Sequence, residues 1–176
     1  MGTENVVISG SVDATVLTEK TMNVLSLAAS ASENPSITVT STIRTPERQA
    51  EAMYANLASG NRIRYKAPGM AVTAVYDECV KAGKSKADTV SAMVKEIEAQ
   101  SEKGQRVSLH CVSREEYAKL NIVDVSRHMP NPRDFVRALM TIKAVTKVIT
   151  PIQAVYGDDR VSVDTSEGAI HVEIQQ

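Results

Sequence analysis

Two short apolar runs each carry an ionisable residue, and this constrains the fold more than any other feature of the chain. Val107–Val112 contains His110, and Ile122–Val125 has Asp124 in its middle. An unpaired charge is costly to desolvate, so a buried strand rarely carries one without a partner. A histidine and an aspartate on adjacent strands can share a metal, share a proton, or form a buried hydrogen bond. The two runs by themselves leave all three open.

Periodicity places helices early and strands late. Val6–Ile8 is a short strand. Thr18 caps a helix with Met22, Val24, Leu25 and Ala28 at helical spacing, and that helix stops by Asn34-Pro35. Ile37–Ile43 alternates β-branched residues and reads as a strand. Thr45 followed by Pro46 starts a second helix, striped by Ala50, Met53, Tyr54 and Leu57 and closed by Gly60. Further helices are expected over Met70–Ala82 and Ala87–Lys103, then strands over Val107–Val112 and Ile122–Val125. Asn131-Pro132 opens a helix carrying Phe135, Val136, Leu139, Ile142 and Val145. The C-terminal part reads as strands over Val148–Val155, Val161–Val163 and Ala169–Ile174. The expected class is α+β, a small antiparallel sheet with helices packed mainly on one face. With 176 residues and no repeat or linker, the chain reads as a single domain over 1–176. That size buries about two-thirds of the unfolded surface.

Composition narrows the partners. The formal net charge is −1 with acids and bases interspersed, which argues against nucleic acid. Five Tyr, one Phe and no Trp give poor material for base or sugar stacking. No apolar run reaches the roughly 20 residues of a membrane span. The first ten residues lack a basic stretch followed by an apolar core. The expectation is a protein made and kept in the cytoplasm, or one that leaves by a route needing no signal. Cys79 and Cys111 are then expected as reduced, buried thiols.

The last strand carries the next candidates. Ile170, Val172 and Ile174 share one face, and Ala169, His171 and Glu173 share the other. The strand alone suits an amphipathic surface strand as well as a site. Added to His110 and Asp124, His171 completes two imidazoles and a carboxylate, a set that suits zinc and leaves a position for water. Glu167 or Glu173 could then move a proton. A buried His110–Asp124 pair that fixes a hairpin is the competing reading, and spacing does not separate the two.

The segment Ser41, Arg44, Thr45, Gln49 resembles the S-x-x-R-[ST]-x-x-x-Q motif of the zinc D-alanyl-D-alanine carboxypeptidases and dipeptidases. This VanY-like group includes phage endolysin peptidases. Ser108 and His110, with Asp124 further on, are similar to its S-x-H…D motif. Glu167, His171 and Glu173 occupy the place of its last motif. The resemblance runs over roughly Ile37–Ile174 in the family's order, and it implies a VanY-like fold of the hedgehog and D-Ala-D-Ala peptidase type. It implies zinc held by His110, Asp124 and His171, and Glu167 as general base with Glu173 as its substitute. It also implies Arg44 as the group that holds the substrate's carboxylate, a role that suits a planar guanidinium fork. Ser41, Gln49, Ser108 and Arg64 are the other substrate-side candidates. The His110–Asp124 connection is longer than the family's, with Ser113–Asn121 as an apparent insertion expected to bulge into solvent.

The implied activity is zinc-dependent hydrolysis of a short peptide with a free carboxylate, most naturally a peptidoglycan stem peptide. The setting would be cell-wall degradation by a bacteriophage endolysin released on lysis, or a cytoplasmic dipeptidase. The alternatives are a non-catalytic protein of the same fold binding a small anionic ligand, and a virion structural component. The loop with Arg62, Arg64, Tyr65 and Lys66 reads either as a lid meeting an anion or as a solvated loop. His128 reads as an exposed loop histidine, and Cys111 as core.

Overall fold

The computed structural model describes residues 3–10, 12–113, 116 and 119–176. These hold six strands: β1 (Val6–Ile8), β2 (Ile37–Thr42), β3 (Leu120–Ser126), β4 (Val145–Thr150), β5 (Val161–Val163) and β6 (Ala169–Gln175). Five α-helices accompany them: α1 (Glu19–Ala31), α2 (Pro46–Ala58), α3 (Ala67–Lys81), α4 (Lys86–Glu102) and α5 (Pro132–Thr141). The class is α+β. The chain forms two compact units, Met1–Ile43 with Ala118–Gln176, and Arg44–Tyr117. Among the described residues no helix is long and apolar enough to cross a membrane.

The first unit is built on one sheet in the order β1-β2-β3-β6-β4-β5. Its central pairs are antiparallel, β2 with β3, β3 with β6, and β6 with β4. Both edges are parallel, β1 with β2 and β4 with β5, so the sheet is mixed and not wholly antiparallel. The cause at the first edge is α1, which lies between β1 and β2 in sequence and supplies the crossover a parallel pair requires.

One face of this sheet is the core. Ile37 and Val39, Val123 and Val125, Ile170, Val172 and Ile174, and Val145 and Val148 are all within 1 % of fully buried. They form one cluster with Val24, Leu25, Ala28 and Ala29 of α1 and Phe135, Val136 and Leu139 of α5. Local chemistry fixes both helices. The Thr18 hydroxyl accepts from the Thr21 N–H at 3.1 Å, capping α1. The Asn34 side chain then accepts from the Asn131 N–H at 2.9 Å and donates to the Asn131 carbonyl at 3.2 Å, tying the end of α1 to the start of α5.

The expected helix through Val145 is shorter than its apolar pattern. It stops at Thr141 because Arg160 donates to the carbonyls of Met140, Ile142 and Val145, satisfying acceptors that a continuing helix would use. Val145 thereby becomes the first residue of β4, which ends at Thr150 ahead of Pro151 instead of reaching Val155.

The second unit packs α2, α3 and α4 around Ala50, Met53, Leu57, Val72, Tyr76, Met93 and Ile97, with Val107 and Cys111 added from the following segment. Thr45 caps α2 with Pro46 in its first turn, and Gly60 closes it at φ 81°, a conformation glycine adopts without strain. Tyr54 and Tyr76 meet edge to face, with centroids 5.5 Å apart. Val107–Val112 is not the expected strand. The Ser108 hydroxyl accepts from the His110 N–H at 3.4 Å, and the Ser108 carbonyl accepts from the Cys111 N–H at 3.1 Å, so the chain turns where a ladder would run. Only an isolated bridge of Arg44 with Cys111 remains of the strand. The expected bulge over Ser113–Asn121 involves residues 114, 115, 117 and 118, which lie outside the described residues.

Phe135 is the largest side chain buried completely in the first unit. Phe135→Ala is expected to cost about 3–5 kcal/mol, read as a lowered denaturation midpoint in urea with an unchanged slope.

Candidate metal centre

The face of the sheet opposite α1 and α5 carries the ionisable residues. β3 and β6 pair over their whole lengths, and the register sets Asp124 directly against His171 and Ile122 against Glu173. On the far side of β6, Ile149 pairs with His171 and Lys147 with Glu173. On the far side of β3 a register shift between Val39 and Ser41 brings Ser41 opposite Asp124. Such a bulge changes which side chains of a strand share a face. Here it leaves Val39 and Thr42 paired with the core positions Val125 and Val123 while Ser41 joins the polar row.

The imidazole of His171 lies between two carboxylates. Its Nδ1 is 3.2 Å from Asp124 Oδ1, and its Nε2 is 3.3 Å from Glu173 Oε1. Lys147 Nζ stands 3.6 Å from the same Glu173 oxygen. His171 and Glu173 are buried, at 2 % and 9 % side-chain exposure, whereas Asp124 is at 24 % and Lys147 at 43 %. Burial works against a charged imidazole, but hydrogen bonds to Asp124 and Glu173 and the charges of both outweigh it. The His171 pKa is therefore raised above its ordinary value.

His110 is buried in the turn that Ser108 organises, and its carbonyl accepts from the Arg44 N–H at 2.8 Å. Within the first unit, Asp124 and His171 offer a carboxylate oxygen and an imidazole nitrogen 3.2 Å apart that can serve as ligands to a metal ion, and His110, in the second unit, is the further ligand the sequence expects. An imidazole nitrogen beside a carboxylate oxygen is donor chemistry that fits zinc. The Asp124–His171 distance fits as well. Zinc–nitrogen and zinc–oxygen bonds of about 2.0–2.1 Å in a tetrahedron place neighbouring ligand atoms about 3.3 Å apart, against 3.2 Å here.

The other sequence candidates are distributed as follows. Arg44 is half-buried at the head of α2, and its Nη1 donates to Gln49 Oε1 at 3.4 Å, with Gln49 itself buried. Glu167 is half-buried in the Asp164–Glu167 turn that precedes β6, its N–H donating to the Asp164 carbonyl. Arg64 is exposed in the loop before α3, and Arg62 in that loop is drawn to Asp77 of α3. His128 is exposed. Cys79 and Cys111 are free and buried, and burial pushes the Cys111 thiol up to about 12, which makes it a poor nucleophile. Lys147 is not among the residues the sequence marks. With β4 expected to begin at Val148, this lysine fell outside a strand, yet its alternation with Ile149 was the signal that would have placed it beside His171 and Glu173.

No protein-family model, curated protein or solved structure matches the chain.

In metal-free protein the raised His171 pKa means that the folded state holds this proton more tightly than the unfolded chain. The stabilisation is fully present below the ordinary value of 6.5 and disappears as pH rises through the raised value. Thermal melts in chelator are expected to show Tm falling across that interval, with Asp124→Asn flattening the slope. A metal held by His171 would need the imidazole deprotonated, so any rise in Tm that added zinc gives is expected to grow with pH.

Proposed function

We propose that the protein is a zinc-dependent peptidase of the D-alanyl-D-alanine carboxypeptidase type, hydrolysing a short peptide with a free carboxylate. A peptidoglycan stem peptide is the favoured substrate and a phage lytic enzyme the favoured biological type. The observation that carries this reading is the sheet register that sets Asp124 against His171, 47 residues apart in sequence, with Oδ1 and Nδ1 at 3.2 Å; the proposed third ligand is the buried His110. Two imidazoles and one carboxylate form a donor set that leaves a coordination position for chemistry. Zinc bound there supplies Lewis acidity toward a carbonyl and lowers the pKa of a water.

The chain's own groups supply the rest. Asp124 and His171 are set by sheet register, so this pair of donors is preorganised rather than assembled on binding. Arg44 offers a fork for the substrate's carboxylate, steadied at Nη1 by Gln49 and joined through its backbone to His110. Glu167, in a turn of four residues that leads into the His171 strand, is the proposed proton carrier, with Glu173 the other glutamate on that strand. Ser41, Ser108 and Arg64 complete the proposed substrate-side set. The order of Ser41, Arg44, Gln49, His110, Asp124 and His171 along the chain, which resembles the VanY-like peptidases, supports the same reading.

One observation favours a second reading, a non-catalytic binder of a small anionic ligand. Both ring nitrogens of His171 already have carboxylate partners, so the cluster is satisfied by a proton alone.

Metal analysis of protein purified without chelator separates the two. The peptidase reading expects about one zinc per chain, lost in His110→Ala and in His171→Ala. It also expects cleavage of a synthetic stem peptide, followed by mass spectrometry. Glu167→Ala is expected to retain zinc while kcat falls about 10²–10⁴-fold. A folded protein that binds no zinc and cleaves no peptide sinks the reading in favour of the binder.

A further inference from the structure

Glu173 stands two residues beyond His171 on β6 and therefore on the same face, buried, with its carboxylate against the ring at Nε2. An imidazole that ligates a metal uses one nitrogen and keeps the other for a hydrogen bond. Which nitrogen does which is set by the partner of the second one. In His171 the two nitrogens face different carboxylates. Nδ1 faces Asp124, which belongs to the candidate ligand set, at the separation two ligands of one tetrahedral ion require. Nε2 faces Glu173, which lies outside that set. A metal shared with Asp124 would therefore take Nδ1 and leave the N–H at Nε2.

A carboxylate is the strongest acceptor the chain can offer to that N–H, and it also raises the basicity of the ligating nitrogen. Glu173 in turn is not free to swing. Its cross-strand partner on β4 is Lys147, whose ammonium sits 3.6 Å from the same oxygen that meets His171. The result is a row in which Lys147 faces Glu173, Glu173 faces Nε2, and Nδ1 faces Asp124.

We infer that Glu173 and Lys147 are positioning residues of the metal centre. Glu173 fixes the His171 ring with Nδ1 as the ligand atom, and Lys147 holds the Glu173 carboxylate in that orientation. The inference rests on the zinc-peptidase reading above and deepens it. It removes Glu173 from the role of proton carrier and leaves that role to Glu167.

The test is zinc affinity of the full-length protein, by competition against a chromophoric chelator at fixed pH. Glu173→Ala is expected to weaken zinc binding about 10–100-fold. Glu173→Gln weakens it less, since the amide oxygen still accepts from Nε2–H. Lys147→Met shifts affinity in the same direction, and Glu167→Ala leaves it unchanged. Saturating zinc restores peptide cleavage to Glu173→Ala, which a lost proton carrier would not allow. In the ¹⁵N spectrum of zinc-loaded protein, the hydrogen of His171 is expected on Nε2.

Wild-type zinc affinity in Glu173→Ala, or a hydrogen on Nδ1, overturns the inference. Should Glu173→Ala not fold, Lys147→Met and the ¹⁵N spectrum decide, because Lys147 is partly exposed and its loss leaves the core intact. A wild-type chain that takes no zinc overturns the parent reading together with this one. Zinc binding with an insensitive Glu173→Ala overturns this inference alone, and zinc binding without peptide cleavage overturns the peptidase reading alone.

Discussion

The pairing of β3 with β6 is the constraint on which the first unit depends. It runs through seven registered positions, from Leu120 with Gln175 to Ser126 with Ala169, in the middle of the sheet. Side chains alternate across a strand, so this single register decides both faces at once. Val123, Val125, Ile170, Val172 and Ile174 go to α1 and α5, while Asp124, His171 and Glu173 go to the other side. A slip of β6 by one residue would drive His171 and Glu173 into the apolar core and turn Ile170, Val172 and Ile174 outward. The hydrophobic cost of that exchange is what holds Asp124 against His171. The polar cluster is thus located by the apolar residues between its members.

Placing three charges on a largely buried surface needs a reason beyond stability, since burying ions costs several kcal/mol each unless they are paired. The pairing here is nearly complete. Glu173 is shared between Lys147 and His171, and His171 between Glu173 and Asp124. With His171 protonated the four formal charges cancel, so the row is tolerable without a metal. A divalent cation held between Nδ1 and Asp124, as proposed, would take the place of the proton and leave the Glu173 side as it was. Proton and metal would then compete for one edge of the imidazole, with the same geometry serving either occupant.

Much of this was legible in the sequence where the signal was local. Thr18 and Thr45 mark helix starts because caps act within one turn, Pro132 marks another through its preset φ, and the alternation in Ala169–Ile174 puts His171 and Glu173 on one face. What required long-range information stayed hidden. Nothing near Asp124 says that its partner is His171, a pairing across 47 residues that only sheet register creates. Nor does anything near Met140 announce that Arg160, from a later loop, ends α5 and releases Val145 and Lys147 into β4. Val107–Val112 failed for the opposite reason. Its apolar pattern suits a strand, but Ser108 offers the backbone a closer partner than a neighbouring strand does, and the resulting turn carries His110.

The division of the sheet into two faces also separates folding from chemistry. Phe135, Leu139, Leu25, Ile170 and Ile174, all fully buried in the core of the first unit, have no part in the polar row. Loss of a metal would remove none of their contacts. The polar face can therefore carry charges arranged for reaction rather than for stability, because the core that secures the strands lies on the opposite side. The strand that best reveals this is β6. Alternate residues of one seven-residue segment serve the two purposes, with one set buried against helices and the other meeting carboxylates, an ammonium and a candidate metal.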